Sequence, residues 1–377
     1  MTKKKLDFLV IGPLIPYRGG ISDTNHSLIK SLQSLGLNVK SWTFKKLYPD
    51  FIFPGKSQFI KTPINSELIG ERILNTLNPF EWSRNRRKLI SLNPRYVIFR
   101  YWTPFLSPIY SSLAKNIPES IKKIALVDNW IQHEKRFFDS IFNKYFGNKM
   151  DFFITFSKNV SIQIKESGFV NVFNGFHPIN NNLPEKITKK LAREKLNLSH
   201  KKKYVLFFGI IRKYKGLDLL IQSFSEDCIK DENIELIIVG EFYDNNKKYY
   251  NQINKLNLNS KILFDSEFVS NEKLRDYFCA ADIVAQTYRS ASQSGVTPMA
   301  YKYMTPMVVT NIDGLKDPIE IDKTGCVSDL NSRQIAKNIR LCLESSNYKM
   351  YINQFKKKSI KYNWDDFSLD LIKYVKL

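Results

Sequence analysis

Arg212, Lys215 and two glycines fall inside one short stretch, Tyr204 to Ile221, YVLFFGIIRKYKGLDLLI, and their spacing points to phosphate chemistry. An apolar run ends at Gly209, a loop carries Arg212 and Lys215, and Gly216 leads into a helical pattern. A planar guanidinium, an ammonium and the free N–H groups of a helix start together suit a diphosphate. The competing reading is a surface loop with incidental basic residues, which a chain this basic also produces. In a second stretch, Thr287 to Gly314, the segment Ser290 to Val296 offers hydroxyls and backbone N–H groups at an expected helix start, again suited to an anion. Earlier in the chain, Gly19 and Gly20 close a loop after an apolar run, and Asp128 and His133 lie in the loop DNWIQH after another. A carboxylate and an imidazole in such a loop are candidates for catalysis. A lone histidine is more often structural, the reading preferred for His26 and His200, while His177 is assigned to an interdomain loop.

These loops need a scaffold, and the patterning supplies one. Leu6 to Ile11 is a continuous apolar run of the kind buried on both faces of a parallel sheet. Leu28, Ile29, Leu32 and Leu35 recur at helical spacing before Gly36, and Asn38 to Phe44 reads as the next strand. The rhythm returns at Arg95–Tyr101, Ile124–Val127 and Phe152–Phe156, then at Tyr204–Phe208, Ile234–Val239, Ile262–Phe264, Ile283–Ala285 and Met307–Thr310. Helical stretches such as Leu217–Phe224 and Asn271–Cys279 alternate with the later strands. Between Asn174 and Lys203 the composition turns to Asn, Pro and Lys, which marks a boundary. The expectation is an α/β protein of two Rossmann-like, doubly wound domains facing across a cleft, residues 1–180 and 181–360, with 361–377 as a terminal segment.

Composition narrows the function classes. The 377 residues are 43% hydrophobic and 14% aromatic, ample for two cores at about 150 residues per domain. Fifty-eight Lys and Arg against 36 Asp and Glu leave a charge of +22, which draws the chain toward nucleic acid, an anionic membrane surface or a phosphate-rich small molecule. Lys3 to Lys5 before an apolar run resemble a signal peptide, but Asp7 interrupts the run and it is read as a first strand. No stretch nears the roughly 18 apolar residues of a membrane span. A cytoplasmic protein with at most peripheral membrane contact is expected. Aromatic and basic residues interleave in ERILNTLNPFEWSRNRRKL and FFDSIFNKYFGNKMDFF, a pattern that suits an anionic leaflet or a core helix with a solvated basic edge. The four cysteines form no Cys-x-x-Cys pair and are read as free thiols.

Nearly the whole chain resembles a family 4 retaining glycosyltransferase of the GT-B type, and polysaccharide-building members in particular. PYRGGISDTNHSL resembles that family's N-terminal glycine loop, FFGIIRKYKGLDLLI its donor pyrophosphate loop, and AADIVAQTYRSASQSGVTPMAYKYMTPMVVTNIDGL its donor-binding segment. NWDDFSLDLIKYV resembles the final helix, which in such enzymes crosses back onto the first domain; YPDFIFPGKSQ and LVDNWIQHEKR resemble further stretches. The resemblance implies a donor site of Gly19, Gly20, Gly209, Arg212, Lys215, Gln293, Ser294, Gly295, Val296 and Asp317. Two glutamates common in the family are replaced by Ala291 and Met299, so ribose binding passes to Ser294, Gln293 or Asp317. Where relatives often have His-Asn, this chain has Asp128 and Asn129.

The expected reaction moves a sugar from a nucleotide-sugar donor to a glycan or lipid-linked acceptor with retention, in cell-surface polysaccharide biosynthesis. Fixed cations and amides would neutralise the leaving diphosphate, so no metal or other cofactor is expected. The alternatives are a nucleotide-sugar epimerase or phosphorylase-like enzyme on the same fold, or a basic nucleic-acid binding protein. The first lacks a carboxylate–histidine pair or a Schiff-base lysine placed for it, and the second lacks every helix-turn-helix, zinc or RNP signature, so no nucleic-acid partner is expected.

Overall fold

A computed structural model describes residues 5–49, 58–59, 70–132, 137–229 and 233–376. The chain divides into two compact units, Met1–Asn182 with Asn363–Leu377, and Leu183–Tyr362.

The first unit runs β1 (Phe8–Ile11), α1 (Gly20–Ser34), β2 (Val39–Lys46), β3 (Glu71–Asn75), α2 (Pro79–Leu92), β4 (Tyr96–Tyr101), α3 (Ser107–Ala114), β5 (Lys122–Val127), α4 (Asp139–Gly147), β6 (Phe152–Thr155), α5 (Lys158–Glu166) and β7 (Val172–Asn174). Its seven strands lie in the order β3-β2-β1-β4-β5-β6-β7 and pair in parallel throughout. Because successive strand residues point to opposite faces, Leu9, Ile11, Val97 and Phe99 enter one core with α2, α3 and α4. Phe8, Val10, Tyr96 and Ile98 enter a second core on the other face.

The second unit runs α6 (Lys189–Lys195), β8 (Lys203–Phe208), α7 (Leu217–Ser223), β9 (Ile234–Val239), α8 (Lys247–Lys255), β10 (Ile262–Asp265), α9 (Asn271–Ala280), β11 (Ile283–Gln286), α10 (Val296–Tyr303), β12 (Met307–Thr310), α11 (Asp313–Asp322), β13 (Gly325–Ser328), α12 (Ser332–Leu343) and α13 (Ser345–Lys358). Six parallel strands take the order β10-β9-β8-β11-β12-β13. In both sheets the strand order reverses beside the first strand, between β1 and β4 and between β8 and β11. Loops leaving the carboxyl ends of those strand pairs splay apart and make the crevice in which open α/β sheets bind ligands.

Helix α14 (Trp364–Lys376) then returns to the first unit. Its apolar stripe, Trp364, Phe367, Leu371 and Val375, completes the core that Phe8 and Val10 begin. Phe367 stacks on Phe156 at 5.2 Å, and Trp364 meets the same ring edge-on at 6.1 Å. Ser31 of α1 donates to the Trp364 carbonyl at 2.9 Å and lies 2.6 Å from Asp365 Oδ1 and 2.9 Å from Ser368 Oγ.

Trp364 is fully buried, so Trp364→Ala leaves a large cavity under α1. We expect a loss of about 3–5 kcal/mol for such a truncation. Urea denaturation followed by far-UV circular dichroism checks it, and a loss under about 1 kcal/mol would show that α14 is not seated in this core.

Candidate functional site

The second unit's switch point is built around a glycine that nothing else can replace. Gly216 has φ +65°, and a Cβ on it would stand 2.0 Å from the Thr287 carbonyl oxygen. The loop after β8 therefore lies flat against the loop after β11. Thr287 Oγ1 donates to the Gly216 carbonyl at 2.9 Å, and the Arg289 amide donates to the Tyr214 carbonyl at 2.6 Å. The Arg289 guanidinium grips Asp218 with two bonds, 2.8 and 2.6 Å, and donates to the Lys213 carbonyl at 3.1 Å.

This clamp carries Lys215 inward. It is buried, and its Nζ stands 5.2 Å from the centre of the Tyr288 ring. The same Nζ lies 3.1 Å from where a Cβ on Gly209 would project, so Gly209 (φ +101°) leaves the space around it clear. Burial, with the charge of Arg212 adding to it and Tyr214 opposing, holds Lys215 below the usual ammonium range, and among the described residues no carboxylate pairs with it. Arg212 lies over the Tyr243 ring at 5.5 Å.

The loop after β11 closes the other side. Ser294 Oγ accepts from the Val296 amide at 3.2 Å at the start of α10 and meets the buried Tyr288 hydroxyl at 3.4 Å. A Val296 methyl comes within 3.9 Å of the Cβ position at Gly209. Gly295 is exposed and Gln293 half-buried. A Cβ on Gly314 would meet the Ala291 carbonyl at 2.4 Å, so α11 starts directly on the residues before Gln293. Gly209, Lys215, Ser294 and Val296 are thus brought together, with Arg212 on the same loop. Asp317 lies one turn beyond Gly314 on α11 and makes none of these contacts.

In the first unit, Gly19 (φ +106°) and Gly20 open α1 with nothing within 4 Å of either Cβ position. Asp128 is buried after β5, and both its oxygens accept from Arg100, at 2.5 and 2.7 Å. Arg100 also donates to Asn25 at 3.2 Å and Thr24 at 3.0 Å, and its guanidinium covers the Phe156 ring at 4.7 Å. Asp128 was expected beside His133 as a catalytic pair; His133 lies outside the described residues, and Arg100 is a partner of Asp128 among those described. Its two bonds to the buried guanidinium fix the start of α1 through Arg100. Among the described residues, the histidine near it is His177, whose ring meets Phe156 at 5.2 Å and whose Nδ1 bonds the Pro178 carbonyl at 3.1 Å. Burial depresses the His177 pKa, and the Asp128 charge works against that shift.

Sequence reasoning missed Arg100, Asp218, Arg289 and the polar opening of α1. Arg100 sits in YVIFRY, all six residues buried, and a cation in such a strand demands an acid nearby. On α1, Ser22 Oγ and His26 Nδ1 are buried without hydrogen-bond partners, and burial raises the Asp23 pKa to about 6. Among the described residues no group of His, Cys, Asp or Glu is placed to hold a metal ion.

With this geometry in hand, comparison with known proteins is informative. Residues 188–359, all within the second unit, match the family model for glycosyl transferases group 1. No curated protein matches the chain. Among solved structures, sucrose-phosphate synthase from Thermosynechococcus elongatus superposes with a TM-score of 0.72 at 15% identity, covering 98% of each chain. Anabaena Alr3699/HepE in complex with UDP-glucose gives 0.72 at 14%, covering 97% of this chain and 99% of that one. The lipopolysaccharide outer core galactosyltransferase WaaB gives 0.68 at 11%, covering 99% and 100%. The two parallel-sheet units have the GT-B architecture of these glycosyltransferases.

Proposed function

We propose that the protein is a retaining, nucleotide-sugar-dependent hexosyltransferase that acts on a glycan or lipid-linked acceptor in cell-surface polysaccharide biosynthesis. The observation that carries this reading is Lys215, an ammonium buried without a carboxylate at the crevice between β8 and β11. Burying a charge unpaired costs several kcal/mol, and an anion that occupies the site offsets the cost. A nucleoside diphosphate supplies the charge, and the glycosyl transferase match of residues 188–359 and the UDP-glucose bound to HepE favour it over other anions.

In this mechanism the bond from the sugar C1 to the diphosphate oxygen breaks while the acceptor hydroxyl oxygen bonds to C1 on the same face and its proton passes to the departing diphosphate oxygen. Negative charge grows on the departing diphosphate as positive charge grows at C1. Lys215 and Arg212 meet that charge in fixed positions, so no metal enters the proposal. Ser294, Gln293 and Asp317 remain the proposed ribose contacts in place of the carboxylates absent at Ala291 and Met299. The first unit receives the acceptor at Gly19, Gly20 and the polar start of α1, where Ser22 and His26 have unmet hydrogen-bonding capacity.

An anionic membrane is the proposed setting, and α4 supports it. Phe137, Phe138, Ile141, Phe142 and Tyr145 are 85, 59, 58, 39 and 49% exposed, with Lys144 exposed on the same helix. Phe146 and Asn143 on the opposite side are buried. Interfacial aromatics beside a cation suit an anionic leaflet. No helix among the described residues is long and apolar enough to cross a bilayer.

Three outcomes test these proposals. Lys215→Met should weaken UDP-sugar binding by about tenfold or more in calorimetry yet raise the melting temperature of the unliganded protein. The sign follows from the depressed pKa: below it the ammonium is charged in both folded and unfolded chains, and only the folded one bears the desolvation cost. Unchanged affinity, or a lower melting temperature, would remove Lys215 from the donor site. Sugar transfer should survive EDTA; loss on chelation that Mg²⁺ or Mn²⁺ restores would overturn the metal-free scheme. Phe138→Ser with Ile141→Ser should lower co-sedimentation with phosphatidylglycerol vesicles several-fold, whereas equal binding by the variant would dismiss the start of α4 as the contact.

A further inference from the structure

Cys326 and Cys342 meet in the core of the second unit, one on the edge strand β13 and the other on α12, which packs against it. Their sulfurs are 3.2 Å apart, with the Cys342 thiol donating to Cys326. The Tyr351 hydroxyl lies 3.2 Å from Cys326 Sγ, and Cys342 Sγ is 3.7 Å from the Met307 carbonyl. A disulfide needs sulfurs about 2.05 Å apart, so a closing shift of about 1.2 Å, within reach of side-chain rotation, separates this dithiol from a bond. Neither remaining cysteine is so placed: Cys228 is half-buried and Cys279 is buried, and neither bonds another thiol.

We infer that Cys326 and Cys342 form a site of reversible oxidative modification, closed to an intramolecular disulfide by a hydroperoxide and reopened by a small dithiol. The roles of the two sulfurs differ. The hydrogen bond from Cys342 draws the Cys326 thiol below its usual pKa and pushes Cys342 above, so Cys326 is the thiolate and Cys342 the resolving thiol. Cys326 is 9% exposed and Cys342 fully buried, which gives the oxidant the same order of access.

The chemistry balances in two steps. The Cys326 thiolate attacks one peroxide oxygen; an S–O bond forms, the O–O bond breaks, and hydroxide leaves to become water, leaving a sulfenic acid. Cys342 sulfur then attacks the Cys326 sulfur; the S–S bond forms, the S–O bond breaks, and a second water leaves with the Cys342 proton. Two thiols are oxidised by two electrons and one hydroperoxide is reduced. For reopening, a dithiol such as dithiothreitol is oxidised to its cyclic disulfide.

The test uses the full chain treated with hydrogen peroxide, quenched with catalase, denatured and titrated with Ellman's reagent. Two of the four thiols should be lost, with an intact-mass decrease of about 2 Da, a Cys326–Cys342 cross-linked peptide, and full recovery in dithiothreitol. Cys342→Ser should abolish the cross-link and let dimedone label Cys326. Cys342→Ala serves equally if the serine variant does not fold, and Cys279→Ser should leave the disulfide intact. Four thiols still titrating after peroxide, a disulfide through Cys228 or Cys279, or a Cys342 variant that loses two thiols as before would each overturn the assignment.

Discussion

An ammonium removed from water without a counter-charge destabilises the chain that carries it, and the second unit is organised to hold Lys215 in that condition. Gly216 adopts a left-handed conformation that lets the loop after β8 touch Thr287, and Arg289 ties both ends of the contact to Asp218 and Lys213. Without the clamp Lys215 would swing out to solvent, as lysines do when their stems allow it. Strain and desolvation at one place are offset by an apolar sheet packed on both faces, from Val205 to Val308. Structure and charge converge on the carboxyl ends of β8 and β11, where strand order reverses.

Much of the fold was legible in the sequence because strands buried on both faces declare themselves as apolar runs. YVLFF, IELIIV and MVVT lie inside strands that begin or end within a residue or two of the expected limits. The strands that escaped notice are β3, β7 and β13, ERILN, VFN and GCVS, and all three are sheet edges. An edge strand has one solvated side, so its composition relaxes toward polar and small residues and its pattern fades. The aromatic stretch around α4 divides between the two readings it allowed, Phe146 in the core and Phe137 to Tyr145 largely in solvent.

The site was legible only where its residues are close in sequence. Gly209, Arg212, Lys215 and Gly216 share one loop, so their spacing carries the chemistry. Arg289 and Asp218 are far apart in sequence, as are Arg100 and Asp128, and no local pattern reports such pairs. Arg100 did carry a signal of its own: an ionised side chain in the middle of a buried strand requires an acid within reach. Asp128 meets that requirement, and through Arg100 it anchors Thr24 and Asn25.

The return of α14 to the first unit bears on how the protein is made. Translation runs from N- to C-terminus, so the strands of the first unit are made before the second unit, yet the wedge of Trp364, Phe367 and Leu371 is translated after it. Through the whole translation of the second unit, Ile154, Phe156 and Val10 face an unfilled groove that only the final helix closes. The nascent first unit is then an open, sticky intermediate, and a ribosome that stalls or terminates early in the last helix releases a chain with that groove bare. Completion of the first unit's core therefore waits on a helix made only after the whole of the second unit.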